Sequence, residues 1–242
     1  MNAVITAGGR VGGTFQQRIG VSVKALAPFA RSTLLARTID AVAHLGIERI
    51  AVVGGEEVAA AVGGRARVIP EAAGGAENLR LALRAWDDSE ALLYLTSDMP
   101  FVDSQALQWF VRAAPPGAIA LPLTEWAAFQ ARFPGAPPFG ITLAGQKVVN
   151  GGAFLLPAGS ARAIESFAAR FFDARKSPLR MAALTGVPLL LQFLLRRLSI
   201  EALEAHAHRL IGIRARAVRG APAELAYDVD TLEEYVYAVD RA

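Results

Sequence analysis

Gly8 and Gly9 follow an apolar run, Asn2 to Thr6, with more glycines at 12 and 13. Lys24 comes next, before the first clear helix. Glycines at such a break let bare backbone N–H groups close around an anion, and Lys24 adds one mobile positive charge. Asp98 follows a second apolar run, Ala91 to Thr96, and Asp228 and Asp230 stand late in the chain just before Thr231. Carboxylates at strand ends can hold Mg²⁺. An anion loop together with metal-binding carboxylates suits the chemistry of a nucleotide polyphosphate.

Each feature also has a plainer reading. The loop is not a Walker A sequence: Gly8 and Gly13 have the right separation, but Thr14 stands where the lysine belongs. It does not match G-x-G-x-x-G either. It is a tight turn at the carboxyl end of the first strand, where open parallel sheets bind ligands, or an ordinary strand-to-loop turn. Asp98 could instead cap the helix that follows Pro100, although Asp103 and Ser104 are better caps for it. Either Asp228 or Asp230 could be a second metal ligand, or both could complement a helix dipole.

The elements that must position these residues follow from pattern. Asn2 to Thr6, Ile50 to Val53 and Ala91 to Thr96 are continuously apolar, as strands buried on both faces are. Between them, Ser32 or Thr33 opens a helix to about Leu45, with Gly46 as its stop, and a second helix covers about Glu77 to Trp86. A weak helix, Glu57 to Val62, and a short strand, Val68-Ile69, lie between. Strand alternating with helix predicts a parallel sheet with right-handed crossovers. After a short strand from Ile119 to Leu121 the alternation stops. Pro134, Pro137 and Pro138 mark an irregular segment, and Ala144-Gly145-Gln146 reads as a hairpin turn. Residues 160–210 read as helical throughout, Ile211 to Val218 as strand, and Thr231 with Glu234 has capping-box spacing for a last helix. The expectation is one domain over residues 1–242, with a helical inserted lobe at about 159–210.

The totals set limits. Of 242 residues 53% are hydrophobic, enough for a large core. The formal charge of +3 is too mild to argue for nucleic-acid binding. With no cysteine, disulfides and thiolate metal sites are excluded, and a cytoplasmic location is expected. The chain starts in a strand without a basic leader, so no signal peptide is expected. The longest apolar run, Val187 to Leu195, is far short of the ~20 residues a membrane span needs. That run is followed by Arg196-Arg197. It reads first as a buried helix and secondly as a surface, 187–197, that docks to a second subunit or a membrane face. His206 and His208 are two apart and make a poor metal pair on a helix.

Ala7-Gly-Gly-Arg10, Lys24-Ala-Leu26, Asn78-Leu79, Thr96-Ser-Asp-Met-Pro-Phe101 and Asp228-Val-Asp-Thr-Leu-Glu-Glu-Tyr235 occur in the order seen in MobA-like nucleotidyltransferases. The resemblance spans nearly the whole chain. It implies an α/β, Rossmann-like (GT-A-type) fold: a mostly parallel sheet, helices on both faces and a helical insertion. It implies transfer of a nucleotidyl group from an NTP to a small-molecule acceptor, often a phosphate, with Mg²⁺ and release of pyrophosphate. By the same resemblance Ala7, Gly8, Gly9 and Arg10 form the triphosphate loop, Lys24 binds phosphate, and Asn78 lies near the base or ribose. Asp98 is the principal metal ligand and Asp230 the second; Lys24 and Asp98 carry catalysis. The sequence departs from the pattern in Val11-Gly12-Gly13, in Leu232, and in Ala153 or Asn150 where relatives often carry a Gly-Asn pair. Two rivals share the fold: a nucleotide-binding regulatory module without catalysis, and a membrane-surface transferase of headgroup or sugar-phosphate nucleotides. The base and the acceptor are not named by these motifs.

Overall fold

A computed structural model describes residues 1–137, 140–174 and 177–242. Pro138, one of the prolines of the irregular segment, lies outside the described residues. In chain order, the first half contains β1 (Asn2–Thr6), α1 (Gly13–Ile19), β2 (Pro28–Phe29), β3 (Ser32–Thr33) and α2 (Leu34–Ala43). β4 (Ile50–Gly54), α3 (Glu56–Val62), β5 (Arg67–Pro70), α4 (Gly75–Leu83), β6 (Leu92–Thr96) and α5 (Ser104–Ala113) follow. The second half opens with β7 (Ile119–Glu125), α6 (Trp126–Arg132), β8 (Ile141–Leu143), β9 (Gln146–Asn150) and β10 (Ala153–Leu156). It continues with α7 (Ala161–Ala174), α8 (Pro178–Thr185), α9 (Val187–Leu194), α10 (Ile200–Ile211), β11 (Ala215–Arg219) and α11 (Leu232–Val239).

Among the described residues the main sheet has nine strands, in the order β5-β4-β1-β6-β10-β7-β9-β8, with β11 paired to β7. β5, β4, β1 and β6 are parallel, so Thr6, Val53 and Thr96 finish at one edge. β10 returns antiparallel between β6 and β7, and β9 and β8 are antiparallel as well. This is the mostly parallel α/β architecture that the alternating pattern and the resemblance implied, made mixed by the antiparallel pairs. β1 shows why a continuous apolar strand belongs at the centre. Ala3 and Ile5 pack with Leu35 and Ile39 of α2 and with Phe110 of α5 on one face. Val4 packs on the other, with Ala82 and Leu83 of α4. No helix among the described residues is long and apolar enough to cross a membrane.

Several local signals act as the chemistry of caps and turns requires. Thr33 accepts from Ala36 N–H, Asp103 from Ala106 N–H and Ser199 from Ala202 N–H, each opening a helix. Thr231 and Glu234 form a full capping box. The β8–β9 turn puts Ala144 and Gly145 at φ 45° and 85°, the left-handed pair that a two-residue hairpin needs, and Gln146 already belongs to the strand. Elsewhere the structure differs from the pattern. Residues 13–19, expected as loop, form α1, which buries Phe15 and Ile19. α6, which Trp126 opens just before the proline-marked segment, was not expected. Among the described residues the long helical run is four helices, and α10 keeps Ile211 before Gly212 stops it at φ 82°, so the next strand begins only at Ala215. A positive φ at glycine ends a helix at little cost, which makes that boundary sharp.

Candidate active site

The cleft at the carboxyl edge of the parallel strands encloses about 710 Å³. Its walls include Gly8 and Gly9, Arg10, Lys24, Glu71, Asn78 and Asp98. The loop after β1 is tied down on both sides. Ala7 N–H donates to Val53 O at 2.8 Å, and Lys24 N–H donates to Gly9 O at 2.9 Å. Ala7 is buried behind the loop, so Gly8 and Gly9 form its exposed turn. A Cβ on Gly8 would stand 2.1 Å from Glu71 Oε2, so a side chain there would have to push that carboxylate aside. The departure Gly12-Gly13 has a local purpose: Gly12 is the N-cap of α1, and Gly13 has φ 57°.

Lys24 is the electrostatic centre. Its Nζ lies 2.7 Å from Asp98 Oδ2 and 2.7 Å from Asp230 Oδ1. Burial works against the ammonium, but the two carboxylates more than offset it and hold its pKa above the ordinary lysine value. Asp228 stands in the same group of charges. Burial pushes its carboxyl up to about 7, and repulsion from Asp98 and Asp230 adds to the shift.

Two distant segments carry these aspartates, and the backbone joins them directly: Val229 N–H donates to Asp98 O at 3.0 Å. Residues on either side are anchored inward. Met99, Tyr227 and Val229 are fully buried and Phe101 nearly so. Phe101 sits edge-on to Tyr227 at 5.1 Å and 4.6 Å from Phe133, and Tyr227 donates to Glu234 O at 2.8 Å. Tyr227-Asp228-Val229-Asp230 thus alternates inward apolar with outward carboxylate, the period of extended chain. Gly151 and Gly152 close the same corner. A Cβ on Gly151 would meet Leu225 O at 1.9 Å, and one on Gly152 would meet Thr96 Oγ1 at 2.1 Å. Asn150 lies on β9 away from this cleft, against the α10 side of the sheet.

The far wall belongs to α4. Its N-cap, Gly74, makes no side-chain bond to the first-turn N–H groups, and Gly74 and Gly75 face the cleft. A helix start of this kind favours negative charge. Asn78 Oδ1 accepts from Ala72 N–H at 2.6 Å, which leaves its amide nitrogen directed toward Gly8. Arg10 reaches across the loop to Glu57 at 3.1 Å and Glu71 at 2.5 Å. The structure therefore brings Gly8, Gly9, Arg10, Lys24, Asn78, Asp98 and Asp230 to one cleft and sets Ala7 behind it. Arg18 is on the exposed face of α1. Glu71 escaped the sequence reading. Its signal is its position one residue past β5, at the same carboxyl edge as Asp98.

Among the described residues no three His, Cys, Asp or Glu side chains converge as a metal set. The donors nevertheless fit Mg²⁺. Among the described residues Asp98 Oδ1 is buried with no hydrogen-bond partner, and Asp98 and Asp230 already share one cation, Lys24. Mg²⁺ is commonly held by one or two carboxylates, with water and substrate phosphates completing its shell. His206 donates nothing to such a site; its Nε2 is 3.0 Å from Leu184 O.

Residues 3–225 match the family described as the MobA-like NTP transferase domain. A search of curated proteins gives no match. A hypothetical transferase from Thermus thermophilus is 31% identical with a TM-score of 0.85, over 97% of this chain and 99% of that one. A nucleotidyl transferase from Methanothermobacter thermautotrophicus is 17% identical with a TM-score of 0.58, over 99% of this chain and 96% of that one. The 4-diphosphocytidyl-2C-methyl-D-erythritol synthase of Anaerococcus prevotii is 13% identical with a TM-score of 0.58, again over 99% and 96%. The last two likenesses show the fold alone.

Proposed function

The chain belongs to the MobA-like NTP transferase family, and we propose that it moves an NMP group from an NTP to a phosphorylated small-molecule acceptor with Mg²⁺. The observation that carries this reading is Lys24 Nζ, 2.7 Å from both Asp98 and Asp230, at the mouth of a cleft whose other wall is the Gly8–Gly9 turn. A nucleotide-sensing module has no need of paired acidic groups beside the phosphate lysine. Their retention favours the enzyme. One domain, with residues 159–210 as an inserted lobe, and a cytoplasmic site of action complete the proposal.

In this reading Gly8 and Gly9 present N–H groups to the β- and γ-phosphates, and Lys24 and Arg10 bring positive charge beside them. The Asn78 amide nitrogen is left to hold the ribose or base, because its oxygen is already engaged by Ala72. Asp98 and Asp230 would hold Mg²⁺, which supplies positive charge at the α-phosphate. The acceptor oxygen attacks the α-phosphorus in line, and the bond to the β-phosphate breaks. Catalysis is then alignment and electrostatics, with no covalent enzyme intermediate. Lys24 stabilises the charge that grows on the leaving pyrophosphate.

The test is a thermal-shift screen of the common NTPs, followed by pyrophosphate-release assays against phosphate acceptors. One NTP is expected to raise the melting temperature only when Mg²⁺ is present. Equal stabilisation in excess EDTA would count against metal held by Asp98 and Asp230.

A further inference from the structure

Beside the nucleotide cleft, the sheet face under the helical lobe carries an apolar groove. A cavity of about 410 Å³ lies over β6, β10 and β7, lined by Tyr94, Phe154, Leu121 and Phe167 of α7, with no charged side chain among the described residues. A second, of about 340 Å³, continues it and shares Leu121, Phe167 and Ala207. The charges at the second, Glu204 and Arg216, are paired with each other at 3.3 Å. At the inner end, Leu79 and Tyr94 line both the groove and the nucleotide cleft. At the outer end, Leu123, Leu143 and Ile200 line the groove and pack in one cluster with Leu189 of α9. There α9 and the residue after it turn apolar side chains to solvent: Leu191 is 52% exposed, Phe193 60%, Leu194 74% and Leu195 64%.

Apolar side chains are therefore contiguous from the wall of the cleft to an exposed apolar helix. The charges carried by α8, α9 and the turn after it have one sign. Residues 177–200 contain no Asp or Glu, and Arg180, Arg196 and Arg197 are exposed. Apolar side chains flanked by arginines are the surface that binds an anionic lipid interface. A two-fold contact through this face would instead bring the arginines of both copies into one interface, with no acidic residue of 177–200 to pair with them.

We propose that the acceptor is a membrane lipid phosphate: a phosphomonoester on a hydrocarbon chain, drawn from an anionic bilayer on which α9 rests. The chain lies in the groove, and the phosphate reaches the cleft past Tyr94. This rests on the nucleotidyl-transfer reading above. A phosphomonoester dianion oxygen forms the new bond to the α-phosphorus, and the bond to the β-phosphate oxygen breaks. Pyrophosphate leaves with the electron pair. No proton moves, and the product is a lipid–nucleoside pyrophosphate.

Dodecyl phosphate below its micelle concentration, with ethyl phosphate as control, tests the groove in the full chain with NTP and Mg²⁺. Each buried methylene is worth about a fourfold gain, so kcat/KM is expected to be at least about 100-fold higher for the dodecyl compound. Ala207→Trp, which fills the groove, is expected to remove most of that gain and leave the NTP-induced thermal shift unchanged. Should that variant not fold, Ala207→Leu gives a smaller loss of the same kind. Equal use of the two phosphates, or an unchanged gain in the filled variant, overturns the proposal. If no NTP shifts the melting temperature, the nucleotidyl-transfer reading fails by itself. Calorimetric binding then decides the groove, and equal affinity for the two phosphates overturns it. For the bilayer, the protein is expected to sediment with phosphatidylglycerol-containing vesicles and not with phosphatidylcholine alone. Arg196→Glu with Arg197→Glu is expected to abolish this. Failure to sediment, with a preference for dodecyl phosphate, overturns the bilayer as the source.

Discussion

The cleft and the helical lobe meet at Tyr94 and are built by different means. Around the cleft, hydrogen bonds from backbone N–H groups fix the segments that bear its polar side chains. Lys24 N–H is held by Gly9, Val229 N–H by Asp98 O, and Ala72 N–H by Asn78. The aspartates alternate with fully buried Tyr227 and Val229. In the lobe, by contrast, α9 buries Leu189 and leaves Leu191, Phe193 and Leu194 exposed. Its neighbours enclose apolar space rather than polar contacts. Charge-stabilising chemistry needs groups that do not reorganise during the reaction. An apolar surface needs only area, which is non-directional.

The contrast can be broken most forcefully at its support. Phe101→Ala empties a site shared with Tyr227 and Phe133 and is expected to lose about 3–5 kcal/mol in urea unfolding, together with most pyrophosphate release. A loss under about 1 kcal/mol would mean that the two aspartate segments do not share a foundation. Asp98→Asn should separate chemistry from stability. Pyrophosphate release is expected to fall about 100- to 1,000-fold, with unfolding free energy changed by no more than about 1 kcal/mol; full activity would remove Asp98 from the site.

Asp228→Asn probes the electrostatic strain of the cleft in EDTA. The carboxyl is raised to about 7 in the fold, against about 3.9 in an unfolded chain. Its ionised form therefore destabilises the fold, with a penalty that grows as pH rises between those values and is full above about 7. The asparagine variant should be more stable by about 1–3 kcal/mol at pH 8 and nearly equal to the parent at pH 4. The same difference at both pH values would contradict the shift. The smallest effect belongs to the lobe surface. Leu194→Gln is expected to change stability by no more than about 0.5 kcal/mol, and a loss above about 1 kcal/mol would mean that α9 packs against protein there.

Legibility followed locality. Asp103, Thr231 and Glu234 could be read as caps because their partners lie within three residues. β1, β4 and β6 could be read because burial on both faces requires continuous apolar sequence. α1 could not. Its N-cap is Gly12, without a side-chain oxygen, and among its seven residues Phe15 and Ile19 are the buried ones. α6 was hidden in the same way: only Phe129 of its seven residues is fully buried, and its cap is Glu125, which makes no side-chain capping bond. In the site, Asp98 stood out by its place after a strand. Glu71 did not, because only the fold sets it against Gly8 and Arg10.

By itself, then, the sequence determined the sheet's parallel half, the loop and aspartates at its carboxyl edge, and the family. Each depends on neighbours along the chain or on strand ends that must coincide. Only the tertiary structure decided that Lys24 meets Asp230, 206 residues away, as well as Asp98. The same holds for β10 between β6 and β7, and for the apolar groove that opens under the lobe. These depend on which distant segments pack together, and hydrophobic pattern is non-directional: it says that a face is buried, not what covers it.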